Sequence, residues 1–134
     1  MTGITAVVLF AAWTLLLMLA YVGYRVMMML TQGQPANSWT RGREANVPTF
    51  VTRAQHAHLN CVENLPVFAA VVLSAYALGK PGVADGVALW VLLLRLAQST
   101  VHLIGVNHAF VMVRAGLYTV QVALILYVIG ALVM

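Results

Sequence analysis

The sequence has 134 residues, of which 63% are hydrophobic and only 7% charged, where a soluble domain carries about 25% charged residues. That balance excludes a water-soluble globule and makes lipid the chain's main solvent. Seven Lys and Arg against three acids leave a formal charge of +4, but the cations form no basic run, so nucleic acid is not an expected partner and the sign bears on membrane orientation instead.

The predicted elements are all helical. Residues 1–24 carry no charge, and the apolar pattern continues through Met27, Met28, Met29 and Leu30. This exceeds the roughly 20 residues that span a bilayer, so a first transmembrane helix is expected over about 4–30. Its length, and the lack of Lys or Arg ahead of it, set it apart from a cleaved signal peptide. Between Thr31 and Thr49 the composition turns to Gln, Gly, Pro, Asn, Ser and Arg, with Pro35 and Pro48 as breakers, which marks the one substantial loop. A second helix is expected over 50–78, polar in its first half and apolar from Val67 onward. Gly79, Lys80, Pro81 and Gly82 make a tight turn, and a third helix follows over 83–104, interrupted by Arg95. After a short turn at Gly105, Val106, Asn107 and His108, a fourth helix is expected over 109–133, with residues 115–134 uncharged behind Arg114.

The expected fold class is therefore all-α: a single-domain, four-helix transmembrane bundle of an integral membrane protein, with the lipid bilayer as its surroundings. Arg25, Arg41, Arg43 and Arg53 flank or occupy the first loop, whereas Lys80 and Asp85 mark the second. Cytoplasmic loops are enriched in Lys and Arg, so the first loop and the 105–108 turn are expected inside and both termini outside.

Charged residues within a bilayer cost roughly 2.5–3.5 kcal/mol each on insertion scales, and each one calls for a partner or a function. Arg53, His56, Asn60 and Glu63 are spaced one helical turn apart and form a single stripe on helix 2. Arg53 is about 15 Å from Glu63 along the axis, so a cation for Glu63 is expected from another helix. Arg95 and Arg114 are the candidates, because counting the helical rise puts them within about 10 Å of Glu63 in depth. Arg95, Gln98 and His102 repeat the stripe on helix 3, and Arg114 and Tyr118 lie a turn apart on helix 4. Together they predict a cytoplasm-facing polar pocket fit for an anionic, peptide-like ligand with carboxylates.

The run from Arg53 through Asn60, Glu63 and Pro66 to Phe68 resembles the signature of the MAPEG family, the membrane-associated proteins of eicosanoid and glutathione metabolism. The resemblance extends to Arg95-Leu-Ala-Gln98, to Arg114 with Tyr118, and to the length and four-helix layout, so it spans most of the chain. It implies a homotrimer that binds glutathione as co-substrate in a cleft between neighbouring subunits near the cytoplasmic face. It also implies that Arg53, Asn60, Glu63, Arg95, Arg114 and Tyr118 belong to or support that site, with Arg114 holding the sulfur as thiolate. An adjacent guanidinium lowers the pKa of a thiol from about 8.5, which makes that role chemically sensible. The full candidate set for glutathione is thus Arg53, His56, Asn60, Glu63, Arg95, Gln98 and Tyr118, with Arg114 as the catalytic group.

The departures narrow the expectation. Ala115 stands where prostaglandin E synthase-like members have Ser, Gln98 stands where some members have His, and Ala36-Asn37-Ser38-Trp39-Thr40 lacks the acidic residue those members carry. Prostaglandin synthesis is therefore not carried over. The expected match is a bacterial-type member of the inner membrane, resembling the microsomal glutathione transferases, with transferase or peroxidase-like activity on lipophilic electrophiles. Two alternatives stand beside it, a catalytically silent membrane protein of the same fold and a small multidrug transporter. The transporter would want an intramembrane acid free to carry protons, and Glu63 is accompanied by arginines. Beyond this set, Cys61 reads as packed and inert, His102 and His108 as interfacial, and Arg25 as a headgroup-reaching arginine. The spacing of His and acidic residues predicts no metal site.

Overall fold

A computed structural model of the protein describes residues 1–40 and 47–134; Arg41 and Arg43, which contribute to the expected orientation, lie outside the described residues. Four helices follow one another, α1 (Gly3–Gln32), α2 (Thr49–Ala77), α3 (Pro81–Ile104) and α4 (His108–Val133), with a short 3-10 turn at Ala36–Trp39. Each is long and apolar enough to cross a membrane. The protein is an integral membrane four-helix bundle.

Local chemistry sets the helix ends. The Thr2 side chain accepts from the Thr5 amide at the start of α1, and Gly33 closes that helix at φ 62°, a left-handed conformation that suits glycine. Pro81 stands in the first turn of α3, where its missing N–H costs nothing, so α3 begins two residues before Val83. Asn107 caps α4 by accepting from the Phe110 amide at 3.0 Å.

Packing rests on small residues. Ala6, Ala54, Ala57, Ala75, Ala84 and Ala88 are buried where helices approach, and Phe10 fills against Phe68 with ring centroids 6.3 Å apart. Leu15, Leu16, Leu19, Trp90 and Tyr127 are exposed on the outside of the bundle. α1 lies against α2 and α3, and α3 lies against α4, whereas α2 and α4 meet only weakly. A groove is left between α2 and α4.

The two ends of the bundle differ in charge chemistry. At one end the Asp85 carboxylate accepts from the Gly3 amide at 2.6 Å and the Tyr76 hydroxyl at 2.9 Å, fastening the start of α1 to α2 and α3. A Cβ at position 3 would meet Val72 at 2.9 Å, so that approach requires glycine. Lys80 reaches the Ala131 carbonyl at 3.4 Å, which puts both chain termini at this end. At the other end Arg25 donates to Gln55 at 3.0 Å, and Arg53 donates through Nε to the Leu103 carbonyl at 2.8 Å. Arg25 is tied to α2 through this bond, and the Tyr21 ring lies 5.0 Å from its guanidinium carbon. Arg53 caps the C-terminal turn of α3, satisfying a carbonyl the helix cannot use.

Candidate functional site

Helical spacing brings the polar residues of three helices to one groove. On α3, Arg95, Gln98 and His102 share the inward face and are all buried. On α4, Arg114 and Tyr118 are a turn apart, and on α2, Asn60, Glu63 and Asn64 line the facing wall. They enclose a recess of about 310 Å³, with Arg95 and Gln98 at its floor and Val111 and Ala115 completing the α4 side.

The recess is part of a longer groove. Toward the arginine-bearing end it opens into a space of about 450 Å³ that shares Asn60, Glu63 and Arg114 and adds His56, Leu59, His102 and Val106. Toward the membrane interior it continues into about 260 Å³ that shares Glu63, Asn64 and Tyr118 and adds Val67, Val122, Ile125, Leu126 and Ile129. Glu63 lines all three segments. The groove is polar at one end and apolar at the other, of the size that small-molecule sites usually have, about 300–1,000 Å³.

A model of the MAPEG family matches residues 3–134 of the chain. The chain belongs to the MAPEG family. No curated protein and no solved structure matches it. Membership is consistent with a glutathione-related function in the membrane.

In this MAPEG chain the electrostatics of the groove are unusual for a bilayer. Arg95 is 0% exposed, and its hydrogen-bond and ring partners are neutral, with the Glu63 carboxylate acting on it from a distance. It donates through Nη1 to the Gln98 side chain and, at 3.5 Å, to the Asn60 carbonyl, and through Nη2 to Gln121 Oε1 at 2.6 Å. The rings of Phe10 and Tyr118 lie 5.4 Å and 5.9 Å from its guanidinium carbon. Arg114 differs in making no side-chain hydrogen bond among the described residues; its Nε, like that of Arg95, is buried without a partner, and the side chain borders the recess.

The expected partner for Glu63 is corrected. Among the described residues Glu63 makes no ion pair and no hydrogen bond, because Arg95 turns away into the bundle toward Gln121 and Phe10. Glu63 and His56 are both exposed along the groove. His102 is also corrected: it is 5% exposed rather than interfacial, with Nδ1 3.4 Å from Asn60 Nδ2 and its ring 6.1 Å from that of His56. Burial follows from its place on the inward face of α3, two turns from Arg95.

Of the candidates, Asn60, Glu63, Arg95, Gln98, Arg114 and Tyr118 converge on the recess, and His56 joins at its mouth. Arg53 is occupied with the α3 terminus and borders none of the three segments described here. Sequence reasoning missed Gln121, which is 1% exposed and holds Arg95. The signal was present: an amide inside an otherwise apolar stretch, three residues after Tyr118 and seven after Arg114, hence on their face. Cys61 is buried with Sγ 3.5 Å from Ser99 Oγ. Among the described residues no cluster of three His, Cys, Asp or Glu side chains is placed to hold a metal ion.

Proposed function

We propose that this protein is a glutathione-dependent membrane enzyme that joins the glutathione sulfur to lipophilic electrophiles. The observation that carries the reading is Arg114, a cation bordering the groove whose guanidinium makes no hydrogen bond to any described residue. A guanidinium so placed favours an anion beside it, and glutathione becomes an anion at sulfur when its thiol is deprotonated. The thiol loses its proton to water, the thiolate rests against Arg114, and its sulfur attacks an electrophilic carbon. A sulfur–carbon bond forms as the bond to the leaving group breaks.

The other groove residues have roles that suit the tripeptide. Glu63 is free of internal ion pairs and takes the ligand's ammonium, while Asn60 and the exposed Tyr118 supply hydrogen bonds. His56 and Gln98 border the same space, and Arg95 adds positive charge from beneath. The apolar segment along Val122, Ile125 and Ile129 suits a lipophilic second substrate arriving from the bilayer. We assign the arginine-bearing end to the cytoplasm, and a homotrimer as the working form, since Glu63 and Tyr118 stay open at the surface of one chain.

Turnover of 1-chloro-2,4-dinitrobenzene with glutathione by the purified protein tests the reading, together with melting temperature with and without glutathione. Conjugation with release of chloride, and stabilisation by glutathione, are the expected results. Neither turnover nor stabilisation would remove the enzyme reading and leave a silent member of the family.

A further inference from the structure

The buried cation beneath the groove has hydrogen-bond partners but makes no ion pair among the described residues, and Glu63 acts on it only from a distance. Arg95 is held by two side-chain amides, a main-chain carbonyl and two aromatic rings, drawn from all four helices. These occupy its two terminal nitrogens, leave its buried Nε without a partner among the described residues, and leave its unit charge intact, because arginine does not deprotonate in proteins. An arginine inside a bilayer is usually paired with another ionisable group or with backbone carbonyls. Here the acid of the neighbourhood, Glu63, stands on the groove wall without an ion pair among the described residues.

Gln121 sharpens the point. Its Oε1 accepts from Arg95 at 2.6 Å, while its Nε2 is buried with no partner among the described residues. A glutamate in that place would offer the same acceptor, pair with the guanidinium and remove the orphaned donor. For the fold alone, glutamine is the poorer choice.

We propose that Gln121 is a positioning residue which fixes Arg95 without cancelling its charge, and that the preserved charge beneath the recess makes the groove selective for anionic ligands. This rests on the anionic ligand of the function proposed above, and adds a residue that acts through Arg95 rather than by touching the ligand. Arg95 and Arg114 together outweigh Glu63 along the recess, so a ligand with net negative charge, such as a thiolate tripeptide, balances the site. With a carboxylate at position 121 that imbalance would disappear.

The test compares Gln121→Glu with the similarly sized apolar Gln121→Met in purified, detergent-solubilised protein, by melting temperature and by calorimetric titration with glutathione and with inorganic sulfate. Gln121→Glu is expected to melt at or above the wild type, yet bind both anions about ten- to hundredfold more weakly, the effect of cancelling a unit charge near a bound anion at an effective dielectric near 20. Gln121→Met should melt lower and, with Arg95 no longer fixed, lose some affinity, but clearly less than Gln121→Glu loses, since the Arg95 charge persists. A purely structural glutamine would make affinity follow stability, and opposite movement of the two is what such a role would not produce. Wild-type affinity in Gln121→Glu, equal losses in both variants, or failure of Gln121→Glu to fold would each overturn the proposal. If the wild type binds sulfate but not glutathione, the glutathione reading fails and the sulfate comparison still decides the role of Gln121; if it binds neither, both ideas fall.

Discussion

Replacing Arg114 by alanine should separate catalysis from folding. The side chain makes no hydrogen bond to a described residue, and its Nε is buried and unsatisfied, so truncation strands no internal partner. The stability change is therefore expected to stay below about 1 kcal/mol, mostly lost packing of the aliphatic stem. Catalysis is another matter. A single positioned donor facing a developing anion is worth about 3–4 kcal/mol, and each 1.36 kcal/mol is about tenfold in rate, so turnover should fall by roughly two to three orders of magnitude. The assay is conjugation of 1-chloro-2,4-dinitrobenzene at saturating glutathione, paired with a melting curve of the same preparation. Arg114→Lys keeps the charge but loses the planar fork and should recover part of the rate. Turnover within about twofold of the wild type in Arg114→Ala would refute the thiolate role, and a collapse of the melting temperature would show that Arg114 serves the fold.

Three further outcomes follow from particular contacts. Glu63→Gln should leave the melting temperature unchanged, because Glu63 has no ion pair to lose, but weaken glutathione binding by about 1.5–3 kcal/mol through loss of a charge-assisted hydrogen bond to the ligand's ammonium; unchanged affinity by calorimetry would remove Glu63 from the site. Asp85→Ala breaks the bonds from Gly3 and Tyr76 and should cost about 1–3 kcal/mol, seen as a lower melting temperature with turnover per folded molecule intact, since the contact lies at the end of the bundle away from the arginines. A cysteine introduced as Ser38→Cys, between α1 and α2, should resist a membrane-impermeant maleimide in intact cells and react after lysis, and ready labelling in intact cells would invert the orientation.

Four spans, their approximate ends and the polar stripes were legible in the sequence because each depends on local quantities. The apolar runs around Leu15 and Ile125 add up hydrophobicity residue by residue, and Pro81, Asn107 and Gly33 act on the turn they occupy. Depth was legible too, since a constant rise per residue brings Glu63, Arg95 and Arg114 to a similar level, and they do border one recess. Azimuth was not. Whether Arg95 meets Glu63 or turns inward depends on how α1, α3 and α4 rotate against one another, and that is set by Phe10, Tyr118 and Gln121, distant in sequence from one another. The same non-local packing buried His102, took Arg53 to the end of α3, and left α2 and α4 apart so that a groove could form between them. One-dimensional periodicity tells which residues share a face of a helix; only the contact of four helices tells which face each one turns to the others, and so which charges are paired, which are buried with neutral partners, and which remain open to a ligand.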